Sequence, residues 1–162
     1  MIRRTAFVLA ILAATAVALP AAAQSTPSRG PFTVLLRSPE TLLFMDHGSI
    51  RREGAIAHVS SFIALDEASL QANSQVAYME MFNQFDCSAV KARTVSGTGY
   101  RRDGNVLGDT PGHQDWRSID PTSPNGEMFD VACRTGRARG ETLTGGNPTG
   151  VAASFRLSAR GS

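Results

Sequence analysis

The sequence predicts an α+β fold: an antiparallel β-sheet of about five or six strands with one C-terminal helix tethered to it by a disulfide. Three observations predict it. Several stretches between residues 33 and 107 alternate apolar and polar side chains with period two. Turn signals separate them, including Asp103-Gly104. A short amphipathic stretch near the end carries helix-start residues, and one of the two cysteines lies within it.

The chain has 162 residues, which fits one domain plus extensions. It is 42% hydrophobic and 19% charged, with 15 Gly and 8 Pro, which excludes a mainly disordered or collagen-like chain. The formal net charge of +2 is too weak for a nucleic-acid binder or a polybasic membrane binder.

Residues 1–23 read as a signal peptide. Arg3 and Arg4 form the positive start, residues 6–19 an apolar run interrupted by Thr15, and Ala21-Ala22-Ala23 a small-residue cleavage site after Pro20. The run is shorter than the roughly 20 residues that span a bilayer, so cleavage after Ala23 is expected in preference to an uncleaved anchor. No later segment is apolar enough to span, and no cysteine follows the site to carry a lipid. Cleavage would leave 14 basic and 14 acidic residues. Residues 31–134 hold 9 basic and 13 acidic, a net of −4; residues 135–162 hold 4 Arg and 1 Glu, a net of +3.

The expected organisation is a linker at 24–31, a domain at 32–136 and a flexible Gly/Arg-rich tail at 137–162, in which Val151 to Leu157 could form a short strand. Within the domain, Thr33 to Leu36 is a short strand and Thr41–Asp46 a stronger one. His47-Gly48-Ser49 and Arg51-Arg52-Glu53-Gly54 are turns. Residues 55–65 alternate, with Ile56, His58, Ser60 and Phe62 on one face and Ala57, Val59, Ser61 and Ile63 on the other. Residues 66–75 are polar and read as a loop. Residues 76–87 form a long strand: Met79, Met81, Phe85 and Cys87 share a face interrupted by Asn83, and Tyr78, Glu80, Phe82, Gln84 and Asp86 share the other. One apolar face and one mixed face describe a one-sided sheet. Residues 92–100 and 105–107 form a hairpin, weakened at Gly97 and Gly99; residues 109–114 are a loop. Ser123 then caps a helix of about ten residues, with Pro124 first, Glu127 and Asp130 early, and Gly136 to stop it.

Cys87 and Cys133 fall at packed positions, and in an exported protein such a pair is most simply a disulfide. The rival is two free thiols, open to a catalytic role; the spacing is not C-x-x-C and no His lies nearby in sequence, which weighs against it.

Chemical motifs are scarce. His47, His58 and His113 could assemble a metal site with Asp46, Asp109 or Asp115, but none has ligand spacing, so scattered histidines are the simpler reading. Gly97-Thr98-Gly99 lacks the rest of a phosphate loop. Ser49 and Ser96 sit in no nucleophile motif. Asp46 and Asp86 could pair as acid and base, yet strand-end carboxylates more often cap turns. Trp116 and Tyr100 could form a recognition surface, although a lone Trp in a small domain is more often core.

From Leu42 to Cys133 the order of features resembles the surface-adhesin protein E family. The features are a hydrophobic strand ending in Asp46, Ser49-Ile50-Arg51-Arg52-Glu53-Gly54, a strand and long loop, Phe85-Asp86-Cys87, a hairpin from Tyr100 to Val106, Trp116-Arg117-Ser118-Ile119-Asp120-Pro121, and a helix bearing Cys133. The resemblance implies a curved antiparallel sheet with the helix tied across it by a disulfide between Cys87 and Cys133. It also implies an exported, non-enzymatic, adhesin-like protein of the bacterial envelope, in the periplasm or at the surface, with host extracellular-matrix or envelope proteins as partners.

Two other classes stand beside it: a periplasmic structural or stress-related protein without a host partner, and a small metal-dependent hydrolase. Exposed Arg and aromatic side chains on one sheet face would favour the adhesin-like reading. A pocket gathering His58 or His113 with two carboxylates would favour the hydrolase. The sequence assigns no catalytic residue, metal ligand or cofactor, and it leaves the binding residues open.

Overall fold

The computed structural model describes residues 30–73, 75–134, 136–143 and 146–159. The expected signal peptide and nearly all of the linker lie outside them. Among the described residues, nine strands form one antiparallel sheet. They are β1 (Phe32–Arg37), β2 (Thr41–Asp46), β3 (Arg51–Glu53), β4 (Ile56–Leu65), β5 (Tyr78–Asp86), β6 (Lys91–Tyr100), β7 (Val106–Pro111), β8 (Arg117–Ser118) and β9 (Thr142–Leu143). The order is β7-β6-β5-β4-β2-β1-β9. β2 and β3 take successive lengths of one edge of β4, and β7 and β8 do the same along β6. Three helices complete the fold: α1 (Glu67–Asn73), α2 (Pro124–Arg134) and α3 (Pro148–Ala159).

The alternation along β4 builds two cores, one on each face. Phe62 and Ala64 point to one side, where they join Phe32, Phe44, Tyr78 and Tyr100 beneath Ala152 and Phe155 of α3. The rings of Phe44 and Phe62 stack with centroids 5.1 Å apart, and Phe32 stands edge-on to both. Such pairs add about 0.5–1.5 kcal/mol each beyond the area they bury. Ala57 and Val59 point to the other side, where they join Met45, Phe85 and Ala92 beneath Met128, Phe129 and Ala132 of α2. The α3 core lies under the C-terminal half of β4 and the α2 core under its N-terminal half. Asn83 faces the α2 side without cost: its amide donates to Ser61 Oγ at 2.9 Å and its carbonyl accepts from Thr94 Oγ1 at 2.9 Å.

α2 starts as its sequence demands, with Ser123 Oγ accepting from Gly126 N at 3.2 Å. The disulfide between Cys87 and Cys133 ties its last turn to the end of β5, with Cα atoms 5.3 Å apart. Glu127 Oε1 accepts from Arg139 N at 2.6 Å and Gly140 N at 3.0 Å, which latches the chain leading to β9 onto the helix.

Six expectations need correction. Residues 51–53, expected in a turn, form β3 against β4, and β7 runs on to Pro111 into the loop expected at 109–114. The strand count is nine, larger than five or six, because short edge strands fill both flanks of the sheet. The sheet is two-sided, not one-sided. Residues 66–75 carry a helix, α1, started by Asp66 Oδ1 accepting from Ser69 N at 2.9 Å. Residues 137–162 carry β9 and α3, and the optional strand at Val151 to Leu157 is helical.

Replacing Cys87 or Cys133 with Ser is expected to destabilise the domain by about 4 kcal/mol, since the bridge closes a loop with a separation of 46 residues. The double variant should be little worse than either single one. Denaturant melts of the three variants against wild type check this. Phe62→Ala should cost roughly 3–5 kcal/mol in the same assay.

Candidate functional site

The α3-side face of the sheet is covered only in part. Where α3 stops, the strands continue, and their outward side chains meet solvent. Strand register lines up one row across four strands: Arg51 opposite His58, His58 opposite Gln84, and Gln84 opposite Arg93. Arg93 Nε donates to Gln84 Oε1 at 2.8 Å. The Gln84 amide reaches His58 Nδ1 at 3.5 Å, and His58 Nε2 lies 3.7 Å from Glu53 Oε2. The Arg93 guanidinium sits 4.6 Å above the Trp116 ring, a cation–π contact of about 0.5–1 kcal/mol. In the adjacent row Ser60, Phe82 and Ser96 lie opposite one another, and Phe82 is 36% exposed although it sits mid-strand. A shallow groove of about 280 Å³ runs between His58, Phe82 and Gln84. The surface therefore presents two aromatic rings, a fixed guanidinium, an amide and an imidazole on rigid strands.

A second, polar cleft of about 310 Å³ lies between the 112–116 loop, β8 and the start of α2. His113, Asp115 and Asp120 share its lining, the combination that a hydrolase would need. Asp120 is committed elsewhere: its Oδ1 accepts from Thr122 N and Thr122 Oγ1, each at 2.8 Å. Those bonds hold its carboxyl below the usual range. Among the described residues no group of three His, Cys, Asp or Glu side chains is placed to hold a metal ion.

The other singled-out residues disperse. His47 shares a hydrogen bond of 2.7 Å with Thr33 Oγ1, far from His58 on the open face and His113 in the cleft. Asp46 is fully buried, and its Oδ1 accepts from Gly30 N at 3.1 Å and Gly48 N at 2.8 Å. Asp86 caps the β5–β6 turn, accepting from Ala89 N, Ser88 N and Ser88 Oγ. β4 separates these two aspartates, so they form no acid–base pair. Asp109 accepts from Thr98 Oγ1 at 2.6 Å. Ser49 Oγ donates to Asp46 O and accepts from Ser60 N, a turn contact. Gly97 lies where a Cβ would come within 3.1 Å of Thr110 Oγ1, a strand position. Tyr100 is buried in the α3 core, its hydroxyl 3.0 Å from Glu80 Oε2, while half-buried Trp116 sits at the far end of β6. The two do not share a surface. Trp116 instead joins Arg93, Gln84 and Phe82, which sequence reasoning did not single out as binding residues. The period-two alternation marked their shared face, and register was the missing information.

A family model described as surface-adhesin protein E matches residues 32–134. A search among curated proteins finds no match. Among solved structures, crystal form II of Haemophilus influenzae protein E is similar at 13% identity, covering 75% of this chain and 98% of that one, with a TM-score of 0.48.

Asp66, Asp86, Asp103 and Asp120 each have a carboxyl held below its ordinary value, chiefly by hydrogen bonds from the helix start (Asp66) or the turns (Asp86, Asp103, Asp120) they cap. A depressed folded value contributes stability above the unfolded value of about 3.9 and loses it as pH falls through the folded value. Urea midpoints should be flat from neutrality to about pH 5 and then fall in more acid solution. Asp86→Asn should make that fall shallower; an unchanged acid limb would contradict its role.

Proposed function

The chain belongs to the surface-adhesin protein E family, and on that premise we propose that it is an exported, non-enzymatic, adhesin-like binding protein of the cell envelope. Its partners are proteins, of the host extracellular matrix or of the envelope itself. The observation that carries this reading is the open half of the α3-side face, where Arg93 is held between Gln84 and Trp116 beside exposed Phe82. Protein-binding hot spots are enriched in Trp and Arg, and Phe is common at interface cores. Side chains fixed on strands lose little freedom when a partner docks. Residues 1–23 supply the export signal in this reading, and the disulfide suits an oxidising compartment. No helix among the described residues is long and apolar enough to cross a membrane.

Arg93→Glu combined with Phe82→Asp should weaken binding to immobilised matrix proteins by about tenfold or more, with the melting temperature held near wild type. Unchanged binding would remove the open face from the account. Protease shaving of intact cells tests the location: degradation supports surface display, and protection until the outer membrane is opened contradicts it.

A further inference from the structure

A groove of about 490 Å³ lies on the other flank of the sheet, between α3 and the β1–β2 turn. Leu42, Leu143, Val151 and Phe155 form its apolar surface, and small residues of α3, Gly150, Ser154 and Ser158, leave it open along one wall. The volume lies within the range of about 300–1,000 Å³ typical of small-molecule sites. Among the described residues Arg37 is the one charged side chain in its lining, and it also borders the adjoining hollow at Ser38, Pro39 and Ala159, next to the C-terminal end of α3. It pairs with Glu141, with Arg37 Nη2 3.5 Å from Glu141 Oε2 and side chains 50% and 63% exposed. An exposed pair of this kind is weak and can exchange for another carboxylate.

We propose that this groove binds a monomeric, single-chain fatty acid. The carboxylate takes the place of Glu141 on Arg37, and the alkyl chain runs along Val151 and Phe155 toward Leu143. The span from Ser158 to Gly150 is about 12 Å at the helical rise, so the groove favours a chain that fills that length. One cation at one end of an apolar trough matches one anionic head on one apolar tail. A polar sugar or an acidic peptide would leave its donors or extra charges against Leu42 and Phe155. This site is separate from the open sheet face and does not depend on the function proposed for it.

The experiment is calorimetric titration of the purified protein with octanoate, decanoate, laurate and dodecanol, each below its micelle concentration. The fatty acids should bind at one per chain and tighten about two- to fourfold per methylene until the groove is full. Arg37→Ala should weaken laurate about five- to tenfold while leaving dodecanol unchanged, and Glu141→Gln should tighten laurate. Ser154→Leu and Gly150→Leu, which fill the wall, should abolish binding of both ligands without lowering the melting temperature. Among the described residues the Cβ position of Gly150 meets Asn147 Oδ1 at 3.5 Å and nothing closer, an ordinary contact distance. Absence of laurate binding, binding indifferent to Ser154→Leu, or binding only to phosphatidylglycerol vesicles would each overturn the proposal.

Discussion

Everything in this molecule depends on one strand serving two cores. The pleat of β4 sends Phe62 and Ala64 to one side and Ala57 and Val59 to the other. A single sheet therefore has two apolar faces that must be removed from water. One is covered by α2 of 11 residues; the other by α3 of 12 residues, with Leu70 of the short α1 added to its core. A helix of that length spans about 17–18 Å, and the seven-strand path is roughly 29 Å wide, so neither helix can cover a whole face. The helices sit at opposite ends of β4, and each face is left partly open by geometry.

The chain adapts to that limit by changing what it places on the uncovered parts. Beneath the helices it uses Phe, Tyr, Leu, Met, Ala and Val. Beyond α3, on the same face, the rows become Arg51, His58, Gln84 and Arg93, then Ser60, Phe82 and Ser96. Phe82 breaks the polar trend, and Trp116 lies under Arg93 instead of entering a core. The Trp116 ring holds the Arg93 guanidinium, and Phe82 is the exposed ring of that face. The disulfide and the Glu127 latch make the arrangement rigid. They fix α2 at both ends, which keeps it on its own face and leaves the other face clear.

Much of this was readable from sequence. The alternation in residues 55–65 and 76–87 sorted side chains onto the correct faces, and Ser123-Pro124 marked the start of α2. Membership of the family follows the ordered features from Leu42 to Cys133 and the match over residues 32–134. The misses have physical causes. Gly145-Gly146-Asn147-Pro148 reads as a breaker, yet Asn147 Oδ1 accepts from Gly150 N at 2.8 Å and Pro148 opens α3. At Ser123-Pro124 the same signal is reinforced by Glu127 and Asp130, whereas α3 has no acidic residue in its first turn. Among the described residues of α1 one apolar side chain, Leu70, is buried, so its period carries little signal. β7 runs through Gly108, Asp109 and Pro111, residues that suit turns but are tolerated on an edge. The row on the open face joins residues from β3, β4, β5 and β6. Each is unremarkable in its own segment, and only the pairing register brings them together.

The most direct test of the two-core account is hydroxyl-radical footprinting of the aromatic residues, free and with a captured protein partner. The account predicts that Phe82 and Trp116 are modified in the free protein, that Phe32, Phe44, Phe62 and Phe85 are protected, and that the partner protects Phe82 and Trp116 alone. Protection of Phe82 and Trp116 in the free protein, or their undiminished modification in the complex, would contradict it.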